Sequence, residues 1–455
     1  MLLSHLPRAA EPLLSRFSIA FTKPTFQRVL VLFVGLVLAP ARRTVTGALR
    51  AARAVAAGHH TAYHRVFSRA RCSHWVLGRV LAAAVLELVP PGEPVVCPVD
   101  DTTPQHKGKH VWGKGRYRDN CRSTRSHTVW VFGHKWVVLA VNVTFAFASR
   151  PWALPVLVAL YRPRELNDRE GRRHRTPADL ARQLVAALVH WFPERRFILL
   201  GDGGYASHEL ARFCHRHRRR VTLVALFHPR ANLYDPPPAR RAGRPGRPRV
   251  KGDKRPAPRD VVAAAGAKRK RATVSWYGGR RRRVEFVSEA GHWYKAGGGL
   301  VPLRWVFVHD LDGTHEDRYF YCTDPALRPS RIIGLYTGRW SIEVTFQESR
   351  AHLGLATTRN RARTSVLRAG PCLLGLLGVV GLVFHHAARG GGQPAEPRTA
   401  PWHAKAEVTF SDAIAAVRRR LWQETISNGA PDHEAFRQLP PQLRDTLLDH
   451  LSLAA

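Results

Sequence analysis

The sequence predicts an α/β fold with helical segments at both ends, and three observations predict it. From Val95 onward, short runs rich in β-branched and aromatic residues are separated by one clear amphipathic pattern, the signature of strands alternating with helix. Residues before Pro91 and after Arg389 lack that alternation and carry helical periodicity instead. Two of the apolar runs end in aspartates flanked by small residues, as at a sheet edge built to receive a ligand.

Residues 1–92 read as a helical region broken at Pro40 and Gly58, with basic faces such as Arg42 to Arg50. Two readings stand for it: a helix-turn-helix-like DNA-binding module, or a plain helical cap on the rest. Its apolar run Val29 to Ala39 is shorter than the roughly 20 residues that span a bilayer and reads as a buried helix. Residues 93–228 form the first part of an α/β core. Val95 to Val99 is a strand ending in Asp100-Asp101-Thr102-Thr103; Val129 to Phe132, Trp136 to Leu139 and Leu154 to Leu160 continue it. A helical pattern over Pro177 to Trp191 leads to the strand Phe197 to Leu200 and then Gly201-Asp202-Gly203-Gly204-Tyr205, with the strand Val221 to Phe227 after the next helix.

Residues 229–310 begin with prolines and the stretch Gly243-Arg-Pro-Gly-Arg-Pro-Arg249, which cannot pack a core and reads as a solvated basic loop, with an AT-hook-like minor-groove segment as the rival reading. The strand-like segments Ala272 to Tyr277, Arg283 to Val287 and Leu303 to Val308 follow. Residues 311–388 return to helix and include the apolar run Cys372 to Phe384, again read as a buried helix. Residues 389–455 are a Gly/Pro linker and a helical region in which Phe410 to Trp422 is amphipathic, with Ser411 as its expected cap.

Seventy-two Lys and Arg against thirty-three Asp and Glu give a net charge of +39. A polyanion is the natural partner of such a chain, which argues against a small-metabolite enzyme. Abundant Ala, Arg, Gly and Pro point equally to a GC-rich coding sequence, so charge carries little weight alone. Cys72, Cys97, Cys121, Cys214, Cys322 and Cys372 lack paired spacing and read as free thiols, and Cys214-His215-Arg216-His217 reads as the basic end of a helix. No convincing secretory signal precedes them, so an intracellular protein is expected.

The most informative segment is Tyr336 to Arg350. At about 100° per residue, a helix puts Tyr336, Arg339, Glu343 and Arg350 in a stripe roughly 60° wide, with Leu335, Ile342, Phe346 and Leu353 on the adjacent core face. One carboxylate among two cations and a phenol suits a metal ligand flanked by groups that grip phosphate. Glu348 falls about 140° away around the cylinder.

This segment resembles the Tyr-Arg-Glu-Lys signature of the DDE transposases of the insertion sequence 4 family, with Arg350 in the place of the final Lys. The resemblance implies a ribonuclease H-like core, interrupted by a β-rich insertion between its second and third acids, and it covers roughly residues 95–385. It implies Asp101, which directly precedes a Thr, as the first catalytic acid, with Asp100 as its neighbour; Asp202 as the second; and Glu343 as the third. Those acids are then expected to hold two Mg²⁺ ions, or Mn²⁺, about 3.5–4 Å apart, with Tyr336, Arg339 and Arg350 on DNA phosphates. In the hairpin-forming branch of that family a Pro-Leu-Lys-Trp strand supplies a base-stacking Trp. Pro302-Leu303-Arg304-Trp305 is similar, and Trp305 is either that residue or a core Trp.

The expectation is therefore a DNA transposase that cuts at mobile-element ends and joins a 3′-hydroxyl to target DNA. It would act on double-stranded DNA as a homodimer assembled there, in the bacterial cytoplasm at the nucleoid and without a membrane. The rivals are a catalytically inactive DNA-binding derivative and a ribonuclease H-like nuclease that only hydrolyses.

Overall fold

The computed structural model describes residues 6–453 apart from 8, 9, 41, 120, 121, 125, 240–247, 391–395, 400, 401, 403 and 428–433. The N-terminal region folds into α1 (Glu11–Ser15), α2 (Lys23–Leu38), α3 (Val45–Ala51), α4 (His60–Ser68) and α5 (His74–Leu86). Helix α2 stops because Pro40 holds Ala39 in an extended conformation, and α3 starts where the Thr44 side chain accepts from the Gly47 N–H. Leu30 to Val34 are all buried, so α2 is an interior helix of a layer covering the sheet.

The central region runs β1 (Val95–Thr102), β2 (Gly115–Arg118), β3 (Trp130–Gly133), β4 (Lys135–Val143), β5 (Trp152–Tyr161), α6 (Arg164–Arg169), α7 (Pro177–Trp191), β6 (Phe197–Gly201), α8 (His208–Arg216) and β7 (Val221–Leu226). It continues with β8 (Leu233–Tyr234), α9 (Pro258–Ala265), β9 (Lys270–Ser275), β10 (Arg281–Lys295), β11 (Gly299–Asp310) and β12 (Arg318–Cys322). Helices α10 (Pro329–Gly338), α11 (Ser341–His352), α12 (Arg363–Arg389), α13 (Phe410–Ser427), α14 (Glu434–Arg437) and α15 (Pro441–Ser452) complete the chain.

A single mixed sheet of ten strands, in the order β5-β4-β1-β6-β7-β12-β11-β10-β8 with β9 also on β10, organises everything else. Strand β1 is antiparallel to β4 and parallel to β6, and β6 is parallel to β7. The register Val99 opposite Gly201 carries both strands to the same edge, so Asp100 and Asp202 emerge side by side. Strands β9, β10 and β11 lie within the segment expected as a β-rich insertion, and they extend the same sheet, since β11 pairs with β12 and β12 with β7. Strands β10 and β11 are longer than their apolar cores suggested, because Gly297 and Gly299 take φ of 72° and 79° at the turn between them and let the hairpin pair out to its end.

Helix α12 is also longer than its apolar run. It is the one described helix long and apolar enough to cross a membrane, and 72% of its most apolar window is buried within the molecule, where α12 packs on α5, β5 and α13. Helix α13 starts differently from expectation. Ser411 lies inside its first turn, and Thr409 marks the start, its N–H and hydroxyl both donating to the Asp412 carboxylate. The Gly-Arg-Pro stretch at Gly243 to Arg247 and much of the linker after Arg389 lie outside the described residues.

Candidate active site

Side-chain alternation along β1 decides which acid faces which way. Val95, Cys97 and Val99 join the large core that includes α7 and α8, while Val96 packs on the opposite side, in the cluster containing Ile332 and Tyr336 of α10. Asp100 and Thr102 therefore face α10 and α11, and Asp101 faces away. Their partners agree: Arg339 Nη1 donates to Asp100 Oδ2 at 2.5 Å and Arg350 Nη1 to Thr102 Oγ1 at 2.8 Å, whereas Lys135 Nζ of β4 lies 3.1 Å from Asp101 Oδ1.

Asp202 follows β6 and folds back to accept from the Gly204 N–H at 2.8 Å. Gly201 has to be small, since a Cβ there would stand 2.8 Å from the Cβ of Tyr205, which backs the strand end. Glu343 arrives on α11. Tyr336 to Arg350 is not one uninterrupted helix: at Arg339 and Trp340 the backbone tightens into i→i+3 bonds, with Arg339 N–H donating to Tyr336 O at 3.1 Å and Glu343 N–H to Trp340 O at 3.0 Å. That joint turns Arg339 inward, 8% exposed, and leaves Trp340 outward at 47%.

Arg339 is the hub of the site. Its Nη2 lies 3.0 Å from Glu343 Oε1 while Nη1 holds Asp100, so one guanidinium bridges a strand acid and a helix acid. Burial pushes the Asp100 carboxyl up to about 7, with Asp202 and Asp101 adding repulsion that Arg339 only partly offsets. Burial also raises the Asp101 carboxyl, against the pull of Lys135. For Arg339, burial works against the charged form, but Asp100, Tyr336, Glu343 and Asp202 outweigh it and keep the guanidinium firmly protonated. The Tyr336 phenol is pushed up to about 12, chiefly by burial.

The structure brings Asp100, Asp202 and Glu343 around Arg339, in an open cleft of about 1080 Å³ that Asp101, Lys135 and Arg350 also line. Asp101, expected as the first acid, stands on the other face of β1 from Glu343. Tyr336 is 5% exposed and stacked on Phe320 at 4.2 Å, so it supports Arg339 from the core instead of meeting solvent. Glu348 pairs with His352 at 3.2 Å and lines a different cleft. Trp305 corrects the base-stacking expectation. It is 0% exposed, because β11 is an interior strand whose alternation puts Leu303, Trp305 and Phe307 into the main core. Val95 to Val99 is apolar at every position, so the sequence separates Asp100 and Asp101 onto opposite faces without saying which face meets the helix acid.

Among the described residues no three His, Cys, Asp or Glu side chains stand together as a ready metal cage, since the Arg339 guanidinium lies between Asp100 and Glu343. The donors nevertheless fit a hard divalent cation: they are carboxylate oxygens, and Asp100, raised chiefly by burial, also feels repulsion from Asp202 and Asp101 that a cation would relieve.

The family match agrees with this chemistry. Residues 16–283 match the family model described as DDE superfamily endonuclease; the matched stretch holds Asp100, Asp101 and Asp202 and ends before Glu343. No curated protein matches the chain. Among solved structures the chain is similar to the piggyBac transposase in a cryo-EM synaptic complex with hairpin DNA, at 10% identity and a TM-score of 0.42, covering 99% of this chain and 82% of that one. The family model covers more than half of the sequence, and the chain belongs to the DDE superfamily endonuclease family.

Proposed function

We propose that this protein is a DNA transposase of the insertion sequence 4 type that cleaves at mobile-element ends and transfers the strand to target DNA. The observation that carries this reading is the convergence of Asp100, Asp202 and Glu343, from two strand ends and one helix, on one buried cation, Arg339. The order β5-β4-β1-β6-β7, with β6 and β7 parallel to β1 and β4 antiparallel to it, supports a ribonuclease H-like core.

Asp100, Asp202 and Glu343 would hold two Mg²⁺ or Mn²⁺ ions, so Asp100 replaces Asp101 in our assignment. When bound, such ions activate a water or 3′-hydroxyl and stabilise the leaving oxygen of a phosphodiester. Arg339 balances the acids and holds Asp100 and Glu343 in register. Arg350, fixed through Thr102, presents a cation beside them where a phosphate enters. Asp101 is paired with Lys135 and faces the other side of β1 from Glu343, which leaves it out of this set of acids. Lys107, Arg118, Arg122, Arg359 and Arg361 line the same cleft and suit a polyanionic strand. Assembly as a homodimer on the DNA, in the bacterial cytoplasm, belongs to the same reading.

The test is a reaction of the purified chain with Mg²⁺, a duplex carrying the DNA that flanks the gene, and a supercoiled target plasmid. End cleavage followed by joined product is expected. Cleavage without joining reduces the reading to a nuclease, and intact DNA throughout contradicts it.

A further inference from the structure

The strands β2 and β3 form a two-stranded ribbon, separate from the main sheet, whose two faces differ sharply. Gly115, Tyr117, Val131 and Gly133 point inward and are buried; the Tyr117 hydroxyl donates to Tyr161 O at 3.0 Å, and a Cβ on Gly133 would lie 2.1 Å from Pro104 O. The ribbon is also tied to the loop after β1, through a bridge between Gln105 and Gly133 and a bond from the His106 N–H to Phe132 O. It is a fixed element standing directly after the first acid strand.

Its outward face is a different chemistry. Arg116 is paired with Phe132 and Arg118 with Trp130, so two guanidinium groups and two aromatic rings alternate on one surface, all exposed. Trp130 and Phe132 are 47% and 53% exposed, and the Arg116 guanidinium sits 4.1 Å from the Trp130 ring centroid, which holds the indole in place. Among the described residues neither Arg116 nor Arg118 meets a carboxylate at ion-pair distance. Arg118, on this outward face, lines the acid cleft itself, so the face is continuous with the site.

We propose that the outward face of this ribbon binds the double-stranded DNA next to the scissile phosphate, with Arg116 and Arg118 on backbone phosphates and Trp130 and Phe132 against the bases of an opened step. This deepens the proposed function and rests on it. The occupant follows from charge and shape. Cations interleaved with aromatic rings match a strand that alternates phosphate with base, and a wedge of apolar side chains is how proteins open a base step. A second copy of this strongly basic chain would bring the same arginines face to face, which disfavours a self-interface.

The experiment uses the full chain in Ca²⁺ buffer, a duplex of flanking DNA carrying 2-aminopurine near the expected cut, and the variants W130A, F132A and R116Q/R118Q. Unchanged melting temperatures for these exposed positions are the control for folding. The aromatic variants are expected to lose the 2-aminopurine rise and to bind about 5- to 150-fold more weakly, the range for a stacked base. The arginine variant is expected to flatten the slope of log affinity against log salt by about one or two. Parental affinity and 2-aminopurine signal in W130A and F132A would overturn the proposal, as would a shift from dimer to monomer with DNA binding intact. If those variants bind normally while D202N and E343Q still lose cleavage in Mg²⁺, the ribbon assignment fails and the transposase reading stands. If the parent chain binds no DNA, both fail.

Discussion

At the scale of single residues, the site turns on which of two adjacent aspartates faces the third acid, and Asp100 does. Its carboxyl is raised from the ordinary 3.8 to about 7, chiefly by burial. A carboxyl with a raised value in the fold contributes stability that is complete below pH ~4 and is lost as the pH climbs through about 7. Asp100→Asn keeps a neutral group there. In metal-free buffer its melting temperature is expected to gain on that of the parent as the pH rises through that window; a gap independent of pH contradicts the assigned environment. Trp305 makes the opposite kind of statement. Because it is fully buried among Leu303, Phe307 and Tyr321, Trp305→Ala is expected to lower stability by about 3–5 kcal/mol. Urea unfolding measured beside DNA binding and cleavage checks this, and normal stability with a selective loss of one DNA step would restore the base-stacking role.

At the scale of elements, the short apolar strands were legible because their periodicity is local. β1, β4, β5, β6 and β7 lie where alternation and β-branched residues predict them, and Pro177–Trp191 is a helix with the Thr176 and Asp179 capping box its sequence contains. What was not legible depended on distant partners. The tight joint at Arg339 and Trp340 carries no proline or cap to announce it, yet it sets the inward turn of Arg339. The pairing of β12 with β7 was equally silent, since no local feature says which edge a strand will join. Nor did the apolar run Cys372 to Phe384 reveal that α12 extends to Arg363, where the polar first turns are held by tertiary contacts such as Arg368 to Val66 and Phe67. Helix α12 also approaches β4 so closely that a Cβ on Gly370 would lie 2.3 Å from the Trp136 ring. Gly370→Ala is expected to destabilise by about 1–3 kcal/mol through overpacking, measured by chemical denaturation. A neutral or stabilising outcome would show that this contact is looser than described.

At the scale of the whole molecule, one sheet carries both the acid edge and the extension that sequence reading had assigned to an insertion, with helical layers around it. The order of acids, Asp then Asp then Glu, was readable from strand and helix contexts. Their meeting point around Arg339 was not, because Glu343 follows Asp202 by a long excursion through β8 to β12 and α10. The net charge of +39 suited a nucleic-acid partner without locating it; the fold gathers cations from the loop after β1, from the ribbon and from the segment before α12 around one cleft. The most direct measurement is Mg²⁺-dependent cleavage of flanking DNA by Asp100→Asn, Asp101→Asn, Asp202→Asn and Glu343→Gln, with DNA binding and melting temperature recorded for each. Loss of cleavage with retained binding is expected for Asp100→Asn, Asp202→Asn and Glu343→Gln, with cleavage still detectable in Asp101→Asn; parental cleavage by any of the first three, or its abolition in Asp101→Asn alone, contradicts the assignment.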